Sequence, residues 1–272
     1  MSRRALVWSG SVVAVLLVVG VAVVEWWPDE GAAETENERA FCWKVGARVS
    51  AGEGDGSVSA CAERLERVGK KDRSALRTVV GAYALHTAKE YDRMPVAVRR
   101  ALARALGERP ELVFESLASD GWRTGLDRSE LAFTIRAIAG DDVALRALRS
   151  SQEAYAKAQI ESLTRADFDK GEDSRHGMGV ARTVGRVTGT FTSWAQSGRP
   201  DDTRVERGDY YERHGHPRFD EQLVERARAV GVSWADIQNS GSSTGDLGFA
   251  LESAYNNAAN AAEAAARNAD AA

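Results

Sequence analysis

Two histidines one residue apart, His214 and His216, stand with Asp209, Glu212 and Asp220 in the stretch RGDYYERHGHPRFD. Imidazole and carboxylate groups suit Zn²⁺ or Ni²⁺, so His214, His216 and Asp220 are the residues with the right chemistry to hold a metal and activate water. A site needs three or four converging ligands, and a His-x-His pair in a loop supplies at most two. The helical H-E-x-x-H arrangement, which puts two ligands and a base on one face, is absent from the chain. The expectation is therefore a solvated polar loop with no resident metal. A secreted effector or metal-dependent hydrolase using the 209–220 loop is the alternative.

The two cysteines, Cys42 and Cys61, flank the loop WKVGARVSAGEGDGSVSA. In an oxidising compartment a lone pair is most simply a disulfide, and closing a loop of that size is worth about 3 kcal/mol. Cysteine metal ligation is disfavoured, because the spacing is not C-x-x-C and no nearby histidine completes a set. His86 borders the apolar face of a helix beside Tyr83 and Glu90, where a packing role is the ordinary one, and His176 has no partner evident in sequence. Ser243 falls in a G-x-S-x-G match, GSSTG, but no strand precedes it as a nucleophile elbow requires. GSSTGDLG lacks the lysine of a phosphate loop, and GMGVARTVG follows no strand. No catalytic residue and no cofactor is expected.

The elements that would position these residues are helical. In DRSALRTVVGAYALHTAKEY, Leu76, Val79, Val80, Tyr83 and Thr87 share one helical face, with Asp72 as a candidate N-cap. After Pro95, VAVRRALARALG repeats the pattern, and Gly107 suits its stop. Asp127–Glu130 has the spacing of a capping box ahead of Leu131, Ile135 and Ile138. Gly140 ends that helix, and Asp141 or Asp142 opens another that the pattern carries to about Phe168. VARTVGRVTGTFTSWAQSG is helical in period yet holds Gly185 and Gly189, which are costly in a solvated helix and point to a close helix–helix contact. Helices follow at about 219–230 and 234–239, and a last one from Asp246 whose alanine-rich end is expected to fray. No alternating β pattern occurs, so the predicted fold class is all-α.

Ahead of these helices, Ala5–Val24 gives 20 uncharged residues. At about 1.5 Å per residue that spans roughly 30 Å, the hydrocarbon core of a bilayer. Arg3 and Arg4 precede the run, Asp29, Glu30 and Glu34 follow it, and Trp8, Trp26 and Trp27 sit near its ends. Positive residues stay cytoplasmic and aromatics favour the interfaces, so the remainder is expected outside the cytoplasm. Glu25, Trp26, Trp27 and Pro28 make a poor cleavage site; the small run Gly31-Ala32-Ala33 lies well downstream. The expectation is a retained anchor.

These features divide the chain into a cytoplasmic stub and transmembrane anchor over 1–28 and a tether with a disulfide loop over 29–57. A helical domain over 58–198, a connecting loop over 199–217 and C-terminal helices over 218–272 packing on that domain complete it. The chain carries 36 basic and 40 acidic residues, net −4, and setting aside Arg3 and Arg4 makes the remainder more acidic. That disfavours nucleic acid and flat binding to anionic lipid.

Between about residues 97 and 197, ALARALGERPELVFESLA, AIAGDDVALRALRSSQEAYAKAQIESL and VARTVGRVTGTFTSWA resemble helical regions of large secreted actinobacterial proteins associated with WXG-type secretion and polymorphic toxins. The resemblance covers about a third of the chain. It implies a helical scaffold or delivery region linked to a secretion or toxin system, and it transfers no functional residue. The combined expectation is a single-pass envelope protein, anchored by residues 5–24, whose ectodomain acts on a protein partner.

Overall fold

A computed structural model describes residues 58–71, 73–90, 94–119, 126–169, 175–199, 215–233, 236–237 and 243–271. All of these fall within one compact unit, Glu34–Ala272. The protein is all-α. Its helices are α1 (Val58–Lys71), α2 (Arg73–Glu90), α3 (Val96–Gly107), α4 (Pro110–Ala118), α5 (Arg128–Ile138), α6 (Asp142–Glu161), α7 (Arg175–Ser197), α8 (His216–Ala229) and α9 (Ser243–Ala271), with a 3₁₀ turn at Arg165–Phe168. No strand occurs among the described residues. None of the described helices is long and apolar enough to cross a membrane. The expected anchor at 5–24, its flanking arginines, Cys42 and the whole tether over 29–57 lie outside the described residues.

Local chemistry accounts for the boundaries. Pro110 forces the residue before it out of helical geometry, and Arg109 adopts φ −129° and ψ 55°. That ends α3 and opens α4, an element the period analysis did not separate, with Pro110 in its first turn. Asp127 caps α5, its Oδ1 accepting from the Ser129 and Glu130 amides at 2.8 and 3.1 Å. The expected capping box is not completed by Glu130, whose carboxylate lies over Gly81 of α2 instead. Asp141 caps α6 by accepting from the Ala144 amide at 2.8 Å, and it also holds Arg100 at 3.1 Å. α6 stops at Glu161 and does not reach Phe168. Thr164 and Asp167 cap each other and start the 3₁₀ turn, so the backbone is redirected before the apolar period runs out.

The core is one continuous cluster. α1 packs on α3, α2 on α5, and α3 on α6, while α4 and α5 support α7. The predicted faces are buried: Leu76, Val79, Val80 and Tyr83 of α2, and Val98, Ala101, Leu102, Ala105 and Leu106 of α3. Phe133 meets Trp194 edge-on with ring centroids 5.5 Å apart.

The most extensive helix pair is α7 with α9. Gly177 lies by Leu247, Gly185 by Leu251 and Gly189 by Tyr255, so the two helices run parallel. A Cβ at Gly185 would overlap the carbonyl oxygen of Leu251, and one at Gly189 that of Tyr255. The glycines bring backbone onto backbone, as their cost in a helix implies. Past the end of α7, Gly198 sits against the main chain of Arg136. The Arg136 side chain, 1% exposed, pairs with Asp270 in the last turn of α9. A cation where two helices end is favoured by their dipoles. The alanine-rich C-terminus is therefore pinned, contrary to the expected fraying.

Two sets of variants follow from this packing, both read by thermal melting. Gly185→Ala should destabilise by about 1–3 kcal/mol or more, since backbone must move. Gly179→Ala, on the same helix but with nothing within 4 Å of its Cβ position, should be neutral or gain up to about 1 kcal/mol. Equal effects would refute the close-approach account. Asp270→Ala should cost more than about 1 kcal/mol, because its partner is buried, although the half-exposed carboxylate keeps the loss below the roughly 3–5 kcal/mol of a fully buried pair. Lys157→Ala, which removes an exposed pair with Glu161, should change stability by less than about 0.5 kcal/mol.

Candidate functional site

The surface that α7 and α9 leave open is a groove of about 440 Å³. Met178, Arg182 and Arg186 form its α7 wall; Phe249, Ala250, Ser253, Ala254, Asn257 and Ala258 form its α9 wall. The helical period explains the arrangement. With Gly177, Ala181, Val184, Gly185 and Val187 of α7 buried, Arg182 and Arg186 stand one turn apart on the exposed side. α7 holds three arginines and no carboxylate over 23 residues. Arg186 donates an Nη1 hydrogen to the Ala118 carbonyl at 2.9 Å. Arg182 meets no carboxylate among the described residues. Phe249 is 72% exposed, although its neighbours Ala250 and Leu251 are buried. The groove combines two cations, an exposed aromatic ring, and a wall of small neutral side chains.

A second feature lies near the start of α7. His176, without a partner in sequence terms, places Nδ1 2.8 Å from Asp167 Oδ1. Asp167 is buried, and its Oδ2 accepts from the Thr164 amide at 2.7 Å and the Thr164 hydroxyl at 2.9 Å. Burial pushes the Asp167 carboxyl up, but the Thr164 hydrogen bonds and the His176 contact outweigh it and hold the group below its usual range. A pocket of about 250 Å³ adjoins His176, lined also by Phe114, Gln159, Gly179, Val180 and Thr183. A carboxylate-oriented imidazole can act as a base, yet it needs a reacting group in reach. The Thr183 hydroxyl donates to the Gly179 carbonyl at 2.8 Å. Among the described residues His176 hydrogen-bonds only to Asp167. The pair ties the 3₁₀ turn to the first turn of α7.

Most of the residues singled out in sequence cannot be placed against one another. His214, Asp209 and Glu212 lie outside the described residues, as do the side chains of His216 and His86. The backbone of His216 is helical, with Pro217 in the first turn of α8, so the helix expected from about 219 starts at His216 and holds Asp220. Proline at a helix start is pre-organised for that conformation. The carboxylate of Asp220 lies 3.5 Å from the Cβ position of Gly248, directed at α9. No group of three or more His, Cys, Asp or Glu suited to a metal occurs among the described residues. Cys61 Sγ stands 3.8 Å from the hydroxyl of Tyr83, whose pKa burial raises. The groove escaped sequence reasoning because Phe249 falls in a regular helical pattern, where nothing marks it as uncovered.

No protein-family model, no curated protein and no solved structure matches the chain.

The Asp167 contacts carry a pH prediction. A carboxyl whose pKa is lower in the folded state stabilises the fold above its unfolded value of about 3.9, and the contribution disappears as pH falls through the folded value. Asp167→Asn should therefore lower the melting temperature at neutral pH. The gap from wild type should close as pH falls below the unfolded value of about 3.9 and through the lowered folded value. A gap independent of pH would show that the carboxylate charge is not what holds the 3₁₀ turn.

Proposed function

We propose that this is a single-pass envelope protein, held by residues 5–24, whose all-helical ectodomain acts by protein–protein contact through the α7–α9 groove. The observation that carries the contact reading is Phe249, 72% exposed beside Arg182 and Arg186 at a groove of about 440 Å³. An uncovered aromatic flanked by arginines has the composition of an interface anchor. The topology rests on the uncharged run Ala5–Val24 and the arginines and acids that flank it. A Cys42–Cys61 disulfide belongs to the same reading, since an exported pair of cysteines is oxidised. The resemblance over residues 97–197 suggests a role beside a secretion or toxin system. No observation favours the alternative of a metal-dependent hydrolase.

Full-length protein tagged after Ala272 tests this reading. It should stay with membranes through alkaline carbonate, lose its tag to external protease in wall-stripped cells, and expose no free thiol when unfolded without reductant. In mild detergent it should sediment as an assembly larger than the chain alone, and Phe249→Asp should release it without lowering its melting temperature. Protein in the medium with a new N-terminus near Glu34 would overturn the anchor, and two reactive thiols the disulfide. An assembly indifferent to Phe249→Asp would overturn the contact surface.

A further inference from the structure

We propose that the occupant of the groove is an acidic segment of a partner protein carrying a large apolar side chain of its own; this rests on the groove being a docking surface. The chain as a whole is net −4, yet α7 carries Arg175, Arg182 and Arg186 and no carboxylate. None of the groove's lining residues is acidic. The nearest charged positions of α9 in sequence, Asp246 and Glu252, are exposed and are not among the lining residues. The positive potential of the α7 wall is therefore not neutralised within the groove.

Arg182 and Arg186, one turn apart, stand about 5–6 Å from each other at Cβ. That matches carboxylates one turn apart on a helix, or two residues apart on an extended strand of roughly 7 Å repeat. Guanidinium groups take carboxylates through paired hydrogen bonds, a geometry lysine does not reproduce. Across the groove, Ala254 and Ala258 let a backbone approach closely, while Ser253 and Asn257 offer hydrogen bonds to it. Phe249 supplies the apolar anchor, which calls for a large apolar side chain in the incoming segment. A phosphate polymer or an anionic bilayer would extend beyond these arginines and meet the field of a net-acidic protein. A short acidic segment experiences only the local field, because charges beyond about 8–10 Å are screened at ordinary salt.

The test uses full-length protein in intact cells with a photoreactive phenylalanine analogue replacing Asn257, followed by mass-spectrometric mapping of the crosslinked residues. The expected product joins position 257 to an Asp/Glu-rich segment of another protein. Its yield should fall roughly tenfold in an Arg182→Glu, Arg186→Glu background, beyond the loss in an Arg182→Lys, Arg186→Lys background that keeps the charge but not the fork. In isolated membranes it should also fall as salt rises from about 0.05 to about 0.5 M. A product on a neutral or basic protein segment, or one insensitive to charge reversal, would overturn the acidic occupant while leaving the docking surface in place. A product only with lipid, only with a second copy of this chain, or none at all would overturn the occupant. Lipid alone or no product would remove the docking surface as well.

Discussion

At Gly185 and Gly189 the backbone of α7 lies directly against the backbone of α9, with no room for a methyl group between them. Glycine in a solvated helix costs up to about 1 kcal/mol relative to alanine, so two in one helix are tolerated only where the neighbour's proximity returns more. Here it does, through the buried surface of Leu251 and Tyr255 on one side and of Val184, Val187 and Phe191 on the other. Because the pair is parallel, the chain must travel back along the molecule between Ser197 and Ser243, and α8 is part of that return. α8 packs on α9 and α6, and its Phe219, Leu223 and Ala227 are buried. The position of the C-terminal third of the helical unit thus follows from one close approach.

The same parallel arrangement brings two helix C-termini, with their partial negative charge, to one end of the molecule. Arg136 of α5 is the cation found there, its main chain against Gly198 and its side chain paired with Asp270. A buried arginine is a poor source of net stability, because desolvation consumes most of its attraction. Its effect here is positional: it fixes where α9 must end, and hence the register of Phe249, Ser253 and Asn257 along α7.

Much of the helical architecture was legible from residue spacing, and the parts that were not have separable physical causes. Apolar period located α2, α3, α5 and most of α7 because each has one face in a common core. Glycine cost announced the α7 contact, though not with which helix or in which direction, since identity of the partner is a property of three-dimensional packing. The stop at Gly107 was legible but the short helix after Pro110 was not, and the break at Thr164 was missed because two residues override an otherwise continuous period. The pairing of His176 with the 3₁₀ turn was passed over for a related reason. His176 and Asp167 are nine residues apart across a turn, a distance at which sequence alone shows no pairing. The helix expected from about 219 starts earlier, at His216, because Pro217 was not used as a helix start. The groove was least legible of all, being defined by what fails to cover it.

That last point links the packing to the proposed function. Two helices brought together by glycine leave a narrow seam, and the residues flanking such a seam are ordinarily small or polar, as Ser253, Ala254, Asn257 and Ala258 are. Arg182 and Arg186 are compatible with that surface, since long basic side chains extend into water without cost. Phe249 is not required by it. Its neighbours Ala250 and Leu251 already supply the buried contact to α7, so the ring adds nothing to the α7–α9 interface. A ring left 72% exposed, next to two cations with no carboxylate among the lining residues, fits the proposed contact with a partner.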